Sequence, residues 1–173
     1  GYGLPASIGA GIDSAKNIYC IEGDGSIMMN LQELQTIVAN KLNIKVLLIE
    51  NGGYLSIKQT QQNFYDGNFI GCDEESGLPF PDFKNIFEAF GFSVLHLNKT
   101  KDIDRKLDEF INAKEHCVLI ASVDRAQTFS PKVSSKRNKS GVIRSAPLED
   151  MFPFLDRSEF SSRMIIDEIN LDD

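Results

Sequence analysis

Two short loops in this sequence carry residue types suited to holding a cation and a phosphate together. One is Gly23-Asp24-Gly25-Ser26, which follows the apolar run Asn17–Glu22. The other is Asn51-Gly52-Gly53-Tyr54, which follows Ile44–Ile49. Asp24 offers a carboxylate, Asn51 an amide oxygen, and the backbone near Gly53 a carbonyl. Three hard oxygens of this kind suit Mg²⁺, whose octahedral shell water and phosphate oxygens would complete. The glycines let the backbone come close to a ligand and adopt positive φ. Amides of Gly25, Ser26, Leu55 and Ser56 could then reach phosphate oxygens, as helix N-termini do. Read singly, each loop is also an ordinary turn, because Asp-Gly and Asn-Gly are common turn dipeptides. Ser26 alone would serve as a helix cap, and Tyr54 as a packing residue.

The elements around these loops decide whether they meet. Tyr2–Ser14 reads as a helix rich in small residues, which permit close packing but weaken an isolated helix. Leu31, Leu34, Ile37, Val38 and Leu42 keep helical spacing. Ile44–Ile49 is a near-continuous β-branched and leucine run, the pattern of a strand buried on both faces. Gly67–Pro81 reads as a loop. Asp82 caps a helix that runs through Phe90 to a stop at Gly91. Ser93–Leu97 reads as a strand, Thr100 as the cap of a helix to Ala113, and Cys117–Val123 as a last strand. This alternation predicts an α/β fold: an open, mostly parallel, doubly wound sheet with helices on both faces. Ligands of such sheets bind outside the carboxyl ends of the strands. Asp24 and Asn51, 27 positions apart, are separated by one crossover helix and its return strand, so both side chains reach one edge.

Composition narrows the function further. The 173 residues suit a domain with a full core. Eighteen basic and 25 acidic residues give a net charge of −7. That charge argues against broad binding to nucleic acid or an anionic membrane, and an anionic ligand would need a local device such as a bridging cation. No apolar run approaches the ~18 residues of a membrane span. The three cysteines, Cys20, Cys72 and Cys117, show no CxxC spacing and read as free thiols of a cytoplasmic protein. Neither GxGxxG nor GxxxxGK[ST] occurs, which counts against a nucleotide-binding module. His96 and His116 read as strand-end residues, and Lys132–Lys139 as a solvated loop.

The run GDGSIMMNLQELQTIVANKLNIKVLLIENGGY resembles the thiamine-diphosphate signature, a Gly-Asp-Gly followed some 24 to 27 residues later by Asn-Asn. GYGLPASIGAGI, NFYDGNF, PDFKNIFEAFGF and the late PKV…PLEDMFPFL are similar to acetolactate-synthase-type enzymes. The resemblance implies the C-terminal, pyrophosphate-binding domain over residues 1–155, a tail over 156–173, and a longer parent chain. It implies thiamine diphosphate and Mg²⁺ as cofactors. Asp24, Asn51 and the Gly53 carbonyl fall on the metal-binding positions. Gly23, Gly25, Ser26, Tyr54, Leu55 and Ser56 are expected around the diphosphate.

The implied chemistry is decarboxylation or carboligation of 2-keto acids by a transferase or lyase, with a homodimer or homotetramer as the working form. The glutamate that contacts the aminopyrimidine belongs to a separate pyrimidine-binding domain, so this fragment is expected to be inactive alone. Ile57 aligns with an apolar residue close to the thiazolium. Two departures stand out. Glu50 replaces the first asparagine of the signature. Thr60 stands where acetohydroxyacid synthases carry a tryptophan that helps select the second keto acid, and this chain has no Trp. Another thiamine-diphosphate decarboxylase or C–C lyase therefore remains open. So does a non-catalytic phosphate- or nucleotide-binding Rossmann-like module, or a structural domain with a decayed site.

Overall fold

The computed structural model describes residues 1–127, 130–137 and 140–169. Its contacts group into two compact units, Gly1–Arg125 and Ala126–Asp173.

The first unit is built on four parallel strands in the order β1-β2-β4-β3: β1 Ile18–Gly23, β2 Ile44–Glu50, β3 Ser93–Leu97 and β4 Cys117–Ser122. The central pair β2 and β4 is the most apolar and the most buried, as strands covered on both faces must be. Side chains alternate between the faces. Cys20, Val46, Leu48, Val118 and Ile120 join one core with Leu4, Leu34, Ile37, Phe83 and Phe87 from α1 (Gly3–Gly11), α3 (Glu33–Ala39) and α5 (Phe83–Ala89). Cys117 and Leu119 face the other way and meet Phe110 of α6 (Ile103–Ile111). Helices therefore lie on both faces of a parallel sheet, as the alternation predicts.

Small residues let α1 sit close to the sheet. A Cβ on Gly11 would lie 3.2 Å from Ile44 Cδ1, and one on Gly3 would lie 2.3 Å from Glu22 Oε1. Glu22 is buried because it has work to do there: its Oε1 accepts the Leu4 N–H at 2.9 Å, in the first turn of α1. Lys45 breaks the apolar run of β2 and is also buried; its Nζ donates to the Ile111 carbonyl at the end of α6. Asp82 caps α5 through the Asn85 N–H at 3.2 Å, and Gly91, at φ 86°, ends that stretch as expected. Thr100 instead starts a 3₁₀ turn, Thr100–Asp102, that leads into α6.

Three elements differ from the sequence reading. A helix α4, Leu55–Phe64, follows the Asn51 loop; none of its ten residues is buried, so it has no apolar stripe to read. In the second unit, part of the expected solvated loop forms a hairpin, β5 Ser135–Arg137 against β6 Ile143–Ser145. Asn138 and Lys139 lie outside the described residues. Within the tail, Asp156 caps a short helix α7, Arg157–Arg163, while residues 170–173 lie outside the described residues. Arg157 holds the buried Asp150 through two hydrogen bonds of 2.9 Å. Among the described residues no helix is long and apolar enough to cross a membrane.

Candidate functional site at the carboxyl edge of the sheet

Parallel register brings the ends of β1, β2 and β4 to one edge: Gly23 pairs with Ile49, and Glu50 with Ser122. The chain turns at each end into a loop or helix, and these turns build the site. Gly23 closes β1, and Asp24 opens the four-residue helix α2, Asp24–Ile27.

Asp24 is 1% exposed. Its Oδ1 accepts the Gly25 N–H at 2.7 Å; its Oδ2 accepts the Asn51 N–H at 3.0 Å and the Gly52 N–H at 2.6 Å. Burial holds this carboxyl above its usual 3.8, and the amides of Gly52, Gly25, Asn51 and Gly53 offset only part of that rise. The two loops that the spacing singled out are thus joined directly, by a side chain of one and the backbone of the other.

Gly52 sits at φ 76°, and Gly53 passes under a second segment. A Cβ on Gly53 would lie 2.2 Å from the Cys72 carbonyl oxygen, which accepts the Tyr54 N–H at 2.8 Å. The Asn51 Oδ1 accepts the Gly53 N–H at 3.2 Å. The Cys72–Ser76 turn is fixed by Asp73, whose Oδ1 takes the Ser76 hydroxyl at 2.7 Å and whose Oδ2 takes the Lys58 ammonium at 2.5 Å. Lys58 above all, then Ser76, hold the Asp73 carboxyl down to about 2.

Tyr54 closes the gap between the loops. Its hydroxyl donates to the Gly25 carbonyl at 2.8 Å, and its ring lies 2.5 Å from where a Gly25 Cβ would stand. Two amides expected on phosphate have partners inside the protein: Gly25 on Asp24, and Leu55 on the Gly53 carbonyl at 3.1 Å. The Ser26 hydroxyl accepts from the Gly1 amino group at 2.8 Å. Ser56 and Ile57 lie exposed at the start of α4. His96 lies on β3 opposite Ile120 and His116 immediately precedes β4; neither lines the hollows beside the Asp24 and Asn51 loops. Sequence reading missed Lys58, Asp73 and Arg125, because no motif of the chain includes them. Among the described residues no group of three or more His, Cys, Asp or Glu side chains stands ready for a metal; the Asp24, Asn51 and Gly53 set has a single carboxylate.

Residues 1–121 match the model of the family described as thiamine pyrophosphate enzyme, C-terminal TPP binding domain. The chain belongs to this family. The TPP-binding domain is similar to the acetolactate synthase large subunit of Cyanidium caldarium, at 33% identity over 144 residues, 83% of this chain and 24% of that protein. It is 31% identical over 144 residues, again 83% of this chain, to acetolactate synthase isozyme 2 large subunit of Escherichia coli K12, covering 26% of that protein. The chain thus spans about a quarter of the length of the curated relatives it matches. In fold it resembles the Rhodococcus jostii RHA1 thiamine diphosphate-dependent 4-hydroxybenzoylformate decarboxylase, with a TM-score of 0.63 and 20% identity, over 73% of this chain and 23% of that one.

Proposed function

We propose that the carboxyl edge of this domain binds the diphosphate of thiamine diphosphate through Mg²⁺, in an acetolactate-synthase-like enzyme acting on 2-keto acids. The observation that supports it is the Asp24 carboxylate, buried at the edge and bonded to the amides of Asn51 and Gly52. The donor set fits the ion: a carboxylate, an amide oxygen and a backbone carbonyl are all hard oxygens. A buried carboxylate without a cation is costly, and Mg²⁺ would offset that cost. Asp24, Asn51 Oδ1 and the Gly53 carbonyl would hold the metal. The glycines and the small Ser26 and Ser56 side chains would leave room for the diphosphate, with backbone amides of Ser26 and Ser56 as donors.

The bound cofactor supplies the electron sink for loss of carbon dioxide from a 2-keto acid. This chain's share of the chemistry is positional: it fixes the diphosphate end, and the apolar Ile57 at the start of α4 would keep water from the reacting ring. A proton-handling glutamate on a separate pyrimidine-binding domain, supplied within a homodimer or homotetramer, would complete the site, so we expect the 173-residue chain alone not to turn over pyruvate. Three free, buried cysteines support a cytoplasmic setting.

Calorimetric titration of the chain with thiamine diphosphate, with and without Mg²⁺, tests the reading. Binding that requires the metal supports it. Binding that ignores the metal, or that prefers ATP or NAD, overturns it.

A further inference from the structure

Arg125 follows β4 by three residues and stands at the same edge, yet nothing in the motif points to it. Its side chain lies over Gly52. A Cβ on that glycine would be 2.6 Å from Arg125 Nε and 2.8 Å from Cζ, so the guanidinium rests on the peptide between Asn51 and Gly53. Lys58, the other cation lining these loops among the described residues, is held by Asp73. Arg125 is exposed and, among the described residues, makes no hydrogen bond and no ion pair.

It borders two hollows. The larger, about 280 Å³, is lined by the acids Asp24, Glu50 and Glu74, by Phe80 and Ser122, and by Arg125, its one cation among the described residues. The smaller lies beside Asn51, Gly53 and Tyr54. Three carboxylates around a cleft repel an anionic ligand, in a chain already at −7. A guanidinium set among them, with its donors uncommitted, offers a planar fork that matches two oxygens of a phosphate or a carboxylate.

We propose that Arg125 is an oxyanion-binding residue of this site, receiving in its fork either the diphosphate of the cofactor or the carboxylate of a 2-keto acid. The proposal rests on the metal–diphosphate reading above. It adds a protein-borne positive charge beside the metal, and a side chain at Gly52, already disfavoured by its φ of 76°, would also have to share the space the guanidinium occupies.

The test uses the 173-residue chain, with Arg125→Gln and Arg125→Lys beside the unaltered protein. Inorganic pyrophosphate with Mg²⁺ and pyruvate with Mg²⁺ and thiamine diphosphate are titrated separately. An exposed residue with no hydrogen bonds leaves the unfolding temperature unchanged when replaced, so loss of fold does not confuse the result. Arg125→Gln is expected to weaken one probe about tenfold or more, and Arg125→Lys to restore it in part, because a point charge lacks the fork. Weakened pyrophosphate assigns the fork to the diphosphate. Weakened pyruvate with unchanged pyrophosphate assigns it to the substrate carboxylate. If the unaltered chain binds pyrophosphate and Arg125→Gln binds both probes as well, the role of Arg125 is refuted while the metal site stands. If the unaltered chain binds no pyrophosphate even with Mg²⁺, the metal–diphosphate reading fails, and this proposal falls with it.

Discussion

The Asp24 carboxylate accepts the Gly52 N–H at 2.6 Å across 28 positions of sequence. One short hydrogen bond thereby couples the turn after β1 to the turn after β2. Preorganisation of this kind lets a site bind without ordering its loops first.

Asp24→Asn should damage both fold and binding. The amide keeps one oxygen but sets an NH₂ group against one of three N–H donors, leaving a buried donor unsatisfied. The expected cost is about 1–3 kcal/mol, read as a lower urea midpoint, together with loss of Mg²⁺-dependent cofactor binding. Binding equal to that of the unaltered chain would show that the carboxylate does not hold the metal.

Gly25 and Tyr54 should be energetically coupled. Tyr54→Phe removes the hydroxyl bond to the Gly25 carbonyl, for about 1 kcal/mol. Gly25→Ala drives a methyl into the Tyr54 ring and should destabilise more. In a Tyr54→Ala background the same Gly25→Ala change should cost much less. Additive effects in that double-mutant cycle would mean the ring does not rest on Gly25.

Glu22 should prove structural rather than catalytic. Glu22→Gln retains an acceptor for the Leu4 N–H and should be mild. Glu22→Ala leaves that buried amide bare and opens space, at about 1–3 kcal/mol. Thermal unfolding of the two variants measures the difference, and equal melting temperatures would contradict the hydrogen bond.

The Lys58–Asp73 pair should give the domain an acid-side signature. Asp73, usually near 3.8, is held down to about 2 by Lys58 and Ser76. A folded value below the unfolded one means the pair's stabilisation is complete above about pH 4 and is lost as pH falls toward 2. Asp73 is buried but the Lys58 side chain is 35% exposed, so solvent screens the pair and the effect is on the order of 1 kcal/mol. Lys58→Met should raise the Asp73 titration seen by carboxyl NMR and flatten the stability profile between pH 4 and 2. An Asp73 that titrates near 4 in the unaltered chain would show the pair is not formed in solution.

The sequence determined the strand order along the chain, the parallel sheet and the meeting of the Asp24 and Asn51 loops. The reason is local and periodic. Buried strands need continuous apolar runs, crossovers need one helix each, and a 27-residue interval leaves little freedom in where its ends emerge. Only the tertiary structure decided the rest. Helix α4 buries none of its residues, so it left no stripe to recognise. Glu22 and Lys45 are buried in otherwise apolar strands because α1 and α6 supply the backbone groups they bond, which the strand pattern alone does not show. Arg125 lies in a polar run with no period, and its place above Gly52 depends on β4 pairing next to β2. Contacts between distant segments leave no trace in spacing, because they are set by how sheet and helices pack rather than by the residues on either side.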